Sequence, residues 1–454
     1  MQSRLFSFRL YVGLLLMAGA VRVFGAGADD PLAAATEQPA VAPCPVGQAP
    51  DTKCMRGRDG MGAHYWLAMP AQWNGTLVVH AHGGPELGVP KEQRSADDLT
   101  RWSIWTRAGF AYAGSGYRQG GVAVRSAAED TERVRQHFVA QFGAPKSTVL
   151  HGQSWGAGVA VKAAEMAHQA DHGKSPFNAV LLTSGVLGGG VESYNFRMDL
   201  RVVYQALCDN HPRPDEPAYP LWQGLPLNGK LTRAELSERI DACTGVRKPA
   251  AKRTSEQQRK LDTLLRVTAI SERSLIGHLQ WATWHFQDIA FQRMQGRNVF
   301  GNENVRYGLK GEDDVLNDKV ARYRADPAAV AAFAADADAE GRIAVPVLTM
   351  HATNDPVAFV ELESFFRDRM VAGGQGGNLV QLFTDDAEHS YLSDAQYVAA
   401  MSALLAWSKG EAKPTPAGVA SRCHAVDAAF EPAKGCRFLP DYRPAALFAR
   451  VPPR

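Results

Sequence analysis

The pentapeptide Gly152-Gln153-Ser154-Trp155-Gly156 constrains this 454-residue chain more than any other stretch. The apolar run Thr148-Val149-Leu150-His151 leads into it, and Ala157, Val159, Ala160, Val161 and Ala163 follow, so a short buried strand turns into a helix across one serine. A turn that sharp brings its neighbours so close that a side chain on either flank would clash, which is why glycine stands on both sides. A serine carried on such an elbow stands with its hydroxyl above the end of a sheet.

The surrounding pattern predicts an α/β fold with a mostly parallel central sheet. Short apolar runs bounded by turn residues read as strands at 77–81, 110–113, 148–151, 179–182, 345–350 and 379–383. Between them, 127–142, 156–169, 360–370 and 395–407 read as helices, with Val134, Phe138 and Phe142 forming one apolar stripe. Strands that alternate with helices need long crossovers, which cover both faces of a parallel sheet. The alternation stops near Gly188-Gly189-Gly190 and resumes at Val345. Within the gap, 261–279 and 330–339 look like amphipathic helices, so a helical insertion is expected over the open edge of the sheet. The expected organisation is therefore a leader over 1–28, a core in two parts over 29–187 and 343–410, a helical cap over 188–342, and a tail over 411–454.

A serine hydroxyl becomes a competent nucleophile when a base takes its proton, and a carboxylate must hold that base in one tautomer. On an elbow of this kind the order along the chain is serine, acid, histidine. Asp355 follows the strand at 345–350 and His389 follows the strand at 379–383. Both stand at carboxyl ends of expected parallel strands, the edge where open α/β sheets bind ligands. Asp385 and Glu388 are the alternative acids, and His351 is the alternative base. A tetrahedral intermediate needs two backbone N–H donors. Trp155 supplies one, and the loop His82-Gly83-Gly84-Pro85 offers Gly83 and Gly84 for the other.

These residues resemble the α/β-hydrolase superfamily over nearly the whole mature chain. More narrowly, His82-Gly83-Gly84-Pro85, the Ser154 pentapeptide and a helical cap are similar to the proline iminopeptidase branch of serine peptidases, although Glu86 and Gln153 stand where that branch favours glycine. The resemblance implies a serine hydrolase working through an acyl-enzyme, without metal or cofactor. A carboxylic ester is the first expectation for the bond cleaved. A short peptide is the second, and it calls for an acidic cap residue to hold the substrate's ammonium group. A third possibility, a binding protein that kept the fold, has no use for all three groups. The cap offers Tyr194, Trp281, Trp284 and Phe286 as an aromatic wall for an acyl substrate.

Composition narrows partners and compartment. Charged residues make up 21% of the chain and the net charge is +2, which argues against a nucleic-acid partner. Arg4 and Arg9 precede the apolar run from Leu10 to Ala20, and Ala26-Gly27-Ala28 follows, a pattern that predicts a signal peptide cleaved after Ala28 and a secreted or periplasmic protein. The run is shorter than the ~20 residues that span a bilayer, so no stable membrane insertion is expected. Six cysteines fit an oxidising compartment and fall as sequence neighbours: Cys44 with Cys54, Cys208 with Cys243, Cys423 with Cys436. Each such bridge would contribute about 3 kcal/mol in the chain-entropy account. Gly27 to Asp51, rich in Ala and Pro, reads as a flexible lead-in held by the first pair, and no C-x-x-C pair suggests a metal site.

Overall fold

The computed structural model describes residues 38–170, 174–431 and 433–454. The expected leader and its cleavage position after Ala28 lie outside these residues. Among the described residues nine strands form one sheet: β1 Ala40–Ala42, β2 Lys53–Arg58, β3 His64–Met69, β4 Thr76–Ala81, β5 Ala111–Ser115, β6 Ser147–Gln153, β7 Ala179–Thr183, β8 Val347–Ala352 and β9 Leu379–Thr384. Their order in space is β1-β2-β3-β5-β4-β6-β7-β8-β9. The pairings from β1 through β3 to β5 are antiparallel, and every pairing from β5 to β9 is parallel.

The parallel strands are buried on both faces, which their unbroken apolar runs require. Val79, Leu150 and Leu182 face one core, shared with Val134 and Phe138 of the helix Val124–Phe142 and with Val159 of the helix Trp155–Ala170. Their neighbours Val78, Val149 and Leu181 face the other, shared with Trp102, Trp105 and the helix Asp394–Ser408. This two-residue alternation is the strand pleat, repeated in register across the sheet. A mostly parallel sheet with helices on both faces and a strand-serine-helix elbow on β6 is the α/β-hydrolase fold. Of the expected lead-in the structure describes residues 38–51, where β1 pairs with β2 and Cys44–Cys54 ties the segment after β1 to β2.

Among the described residues no strand occurs between β7 and β8. The expected single helix at 261–279 is two, Ser255–Thr268 and Leu275–Gln287. Ala269, at a left-handed φ of 52°, ends the first, and the break lets Leu261, Leu264, Leu275 and Leu279 share one core with Phe196 and Leu200. Cys208–Cys243 links the end of the helix Asn195–Cys208 to the helix Arg233–Thr244. The excursion leaves and returns at one place. Gly190 N–H donates to Asp338 Oδ1 at 2.7 Å, Lys162 Nζ donates to Asp338 O at 2.7 Å, and Glu165 accepts the backbone N–H groups of Glu340, Gly341 and Arg342.

The tail runs along the far edge of the sheet. Leu439 N–H donates to Phe383 O at 2.8 Å, Asp385 N–H donates to Arg437 O at 2.8 Å, and Cys423–Cys436 closes the loop between. The last residues reach the helical layer, where Arg454 Nη2 donates to Asn195 O at 2.9 Å and to Asp199 Oδ2 at 3.0 Å.

Candidate active site

The elbow follows from crowding at two glycines. A Cβ on Gly152 would run into Gly156 O and Ala157 Cα, and a Cβ on Gly156 would run into the carbonyl oxygens of Ala81 and His82. Ser154 between them takes a left-handed φ of 56°, a conformation uncommon outside glycine and a feature of sites where strain serves a purpose. Its N–H donates to Thr183 O at 2.9 Å, and its own carbonyl accepts from Val186 and Ala157. The backbone is thereby fixed on both sides of the residue, which is 7% exposed.

Ser154, His389 and Asp355 meet above the carboxyl ends of β6, β9 and β8. His389 Nε2 lies 2.8 Å from Ser154 Oγ, and His389 Nδ1 lies 2.7 Å from Asp355 Oδ2. Asp355 Oδ1 accepts the N–H groups of Val357 and Ala358 at 2.8 and 3.0 Å. Burial opposes the charge on Asp355, yet hydrogen bonds from His351 and His389 hold its carboxyl below the ordinary range. The alternative acids Asp385 and Glu388 are exposed, and the carboxylate on His389 is that of Asp355.

The alternative base, His351, is excluded by its surroundings. Its Nδ1 lies 3.0 Å from Glu363 Oε1 and its Nε2 lies 2.9 Å from Ala358 O, with Asp355 Oδ2 at 3.5 Å. Carbonyl and carboxylate oxygens accept, so both ring nitrogens donate and neither is free to take a proton from serine. Burial disfavours that imidazolium, but Asp355 and Glu363 outweigh it and raise its pKa to about 10. Thr349 Oγ1 and Gln381 Nε2 in turn bond Glu363 Oε2 at 2.6 and 2.7 Å.

The loop His82-Gly83-Gly84-Pro85 lies beside the elbow, and its Gly83 carbonyl accepts from Arg94 Nη2 at 2.8 Å and from His82 Nδ1 at 2.9 Å. Burial and the nearby Arg94 lower the His82 pKa to about 3, so the ring is neutral and carries its proton on Nδ1. In a trans peptide the C=O and the following N–H point opposite ways, so this grip on the Gly83 oxygen turns the Gly84 N–H away from it. Trp155 opens its helix, and its N–H has no acceptor within that helix. Gln153 links two loops. Its amide packs where a Gly83 side chain would be, and its Nε2 donates to Ser390 Oγ beside His389. Arg101 donates to the Ser390 carbonyl and Ser184 Oγ accepts the Ser390 N–H, so the histidine loop is held from three sides.

The helical layer is bonded to each of these loops. His285 Nε2 lies 2.9 Å from Pro85 O, and His278 Nε2 lies 2.9 Å from Pro356 O. Burial keeps both rings neutral, that of His285 with a pKa lowered to about 4. Arg273 donates to Asn354 O at 3.1 Å and to Ala387 O. Tyr194 stacks on Trp281 at 4.3 Å, and Trp281 stacks on His285 at 4.5 Å, so these two expected wall residues lie against the glycine loop's partner. Phe286 does not belong to the wall. It is fully buried, stacks on Phe300 at 4.3 Å and meets Trp281 edge-on at 6.0 Å, so it backs the wall from inside the layer. Trp284, with Arg233 4.8 Å over its ring, lines a separate cleft of about 590 Å³ with Leu87, Val89 and Asp288, and Ser154 does not line that cleft.

Gln153, His351, Glu363, His278 and His285 take part in this site without having been singled out from the sequence in these roles. The sequence around Glu363, Glu361-Leu362-Glu363-Ser364-Phe365-Phe366, carries no local signal that separates this acid from a solvated one.

No protein-family model matches the chain, and no curated protein does. Among solved structures the chain is similar to an esterase from Aspergillus oryzae, with 12% identity, a TM-score of 0.44, and coverage of 84% of this chain and 87% of that one. It is also similar to feruloyl esterase B from Aspergillus oryzae, with 11% identity, a TM-score of 0.41, and coverage of 84% and 88%. A puromycin hydrolase gives 14% identity and a TM-score of 0.36, covering 83% of this chain and 40% of that one. The fold rests on strand order and the elbow rather than on these likenesses.

Proposed function

We propose that the chain is an exported serine hydrolase that cleaves a carboxylic ester through an acyl-enzyme on Ser154. The observation that carries this reading is the unbroken path from Ser154 Oγ to His389 Nε2 at 2.8 Å and from His389 Nδ1 to Asp355 Oδ2 at 2.7 Å. Asp355 keeps the imidazole proton on Nδ1, so the Nε2 lone pair faces the serine hydroxyl. Ser154 Oγ then attacks the ester carbonyl as its proton passes to His389. The oxyanion receives the Trp155 N–H and an N–H from Gly83 or Gly84. His389 returns the proton to the departing alkoxide, which leaves an ester on Ser154. A water, deprotonated by His389, attacks that ester, and the acid product departs as the proton returns to Ser154.

The charge in the layer over the site favours an ester over an amino-terminal peptide bond. Among the described residues the cation over the Tyr194 and Trp281 rings is the guanidinium of Arg197, which repels an ammonium group. Three disulfides support export, and among the described residues no helix is long and apolar enough to cross a membrane. The test is a fluorophosphonate probe on the purified mature protein, followed by p-nitrophenyl esters and aminoacyl anilides. Labelling at Ser154 with ester turnover above anilide turnover is expected, and an unlabelled Ser154 overturns the reading.

A further inference from the structure

The helix Asn195–Cys208 buries two arginines one turn apart, Arg197 at 4% exposure and Arg201 at 0%. Neither has a carboxylate partner among the described residues. Arg201 keeps one bond, from Nη2 to Tyr219 Oη at 3.2 Å, while its Nε and Nη1 have none. The Arg197 side chain has no hydrogen-bond partner among the described residues, and its Nε is sealed without an acceptor. What surrounds Arg197 is aromatic: its Cζ lies 4.4 Å from the Trp281 ring, 4.5 Å from Phe196 and 5.6 Å from Tyr194. A buried cation with no counter-ion is costly, and burial here pulls its pKa down to about 9. Such a group is a functional-site candidate, since a ligand of opposite charge relieves the cost.

Its position relates it to the triad. Trp281 stacks on His285, which bonds Pro85 in the glycine loop. Phe196 meets His278 edge-on at 5.0 Å, and His278 bonds Pro356, the residue after Asp355. Arg197 therefore stands between two of the contacts by which the helical layer rests on the loops flanking Ser154.

We infer that Arg197 is the specificity-determining residue of this site: it receives a free carboxylate of the substrate, so the preferred ester is an acidic one with an apolar span against Trp281 and Tyr194. The inference rests on the reading of Ser154 as nucleophile. A planar guanidinium matches a carboxylate through two parallel N–H···O bonds, and the aromatic faces exclude water from the pair. The carboxylate can sit on the acyl side or on the alcohol side of the ester, and the substrates below separate the two.

The experiment compares three esters by proton release on the mature chain: methyl hexanoate, monomethyl adipate with its carboxylate on the acyl side, and the butyryl ester of 3-hydroxypropanoate with its carboxylate on the alcohol side. One acidic ester should exceed methyl hexanoate in kcat/KM by about 10- to 100-fold, the range of a charged hydrogen bond. Arg197→Gln should bring that ratio to within about twofold of unity, mainly through KM, and Arg197→Lys should retain part of it. Because the readout is a ratio, partial folding of a variant does not disturb it. Should Arg197→Gln not fold, competitive inhibition of the wild-type protein by adipate, read on p-nitrophenyl butyrate, decides the matter, and absence of inhibition overturns the inference. A wild-type protein that prefers methyl hexanoate to both acidic esters, or a preference that survives Arg197→Gln, also overturns it. If Ser154 labels with fluorophosphonate in those cases, the Arg197 inference alone is lost. If Ser154 does not label and no ester is turned over, the nucleophile reading falls and takes this one with it.

Discussion

His351 Nε2 lies 3.5 Å from Asp355 Oδ2, the oxygen that also holds His389 Nδ1 at 2.7 Å. With Oδ1 taken by the N–H groups of Val357 and Ala358, the Asp355 carboxylate is engaged at both oxygens and cannot rotate without breaking several bonds. Its charge is balanced from behind by an imidazolium that itself rests on Glu363. The orientation of His389 is therefore set by a chain that runs back to Thr349 on β8 and Gln381 on β9.

Removing the nucleophile or the base should abolish turnover without unfolding the protein. Ser154→Ala and His389→Ala are each expected to lower kcat by roughly 10⁴ or more on a p-nitrophenyl ester, with far-UV circular dichroism unchanged. A loss below tenfold in either variant would mean that another group does the work.

Asp355→Asn keeps the shape of the side chain but presents the wrong hydrogen-bonding group to His389 Nδ1, so a fall of about 10⁴ in kcat is expected. Asp385→Asn and Glu388→Gln, both at exposed positions, should stay near wild-type activity. Steady-state kinetics on the three variants distinguishes the acids, and a collapse confined to Asp385→Asn or Glu388→Gln would reassign the role.

Glu363→Gln should destabilise the fold in a pH-dependent way. His351 has its pKa raised from 6.5 to about 10 in the folded chain. The stability linked to it is thus fully present below pH 6.5 and is lost as pH rises toward 10. Breaking one partner of a buried pair costs about 3 kcal/mol or more. Urea denaturation of wild type and variant should show that gap near pH 6 and a narrowing gap toward pH 10. A gap that widens with pH would contradict the charge assigned to His351.

Two glycines should respond to alanine in opposite directions. At Gly156 the new methyl meets the backbone oxygens of Ala81 and His82, which cannot move without disturbing β4 and the glycine loop, so a loss of about 3 kcal/mol is expected. Gly277 lies in the helix Leu275–Gln287, where a methyl has no atom within 4 Å, and Gly277→Ala should stabilise by about 0.5–1 kcal/mol. Thermal unfolding of the two variants tests both signs.

The parallel half of the sheet was legible because strands buried on two faces are written as unbroken apolar runs, as at Leu77 to Ala81 and Ala179 to Leu182. The antiparallel edge was not. β2 reads Lys-Cys-Met-Arg-Gly-Arg, with exposed ends and two buried positions, too weak a pattern to mark a strand. Ser154, Asp355 and His389 could be placed from the ends of three strands, since the turn after a parallel strand points one way. The contacts that position them could not. Gln153 meets Ser390 across 237 residues and His285 meets Pro85 across 200, and no local period encodes a pairing at that distance. Arg197 and Arg201 were visible as charges four apart with Asp199 between them, yet only packing reveals that Asp199 bonds Tyr307 and Arg454 and leaves Arg197 without an acid among the described residues.

Arg454 is clamped to Asn195 and Asp199, one residue on either side of the stretch that carries Arg197. Cutting that clamp, as in Arg454→Ala, therefore frees the very turn that aims the guanidinium. Substrate profiles gathered with that variant would describe a slackened turn, and those of the unaltered chain a taut one.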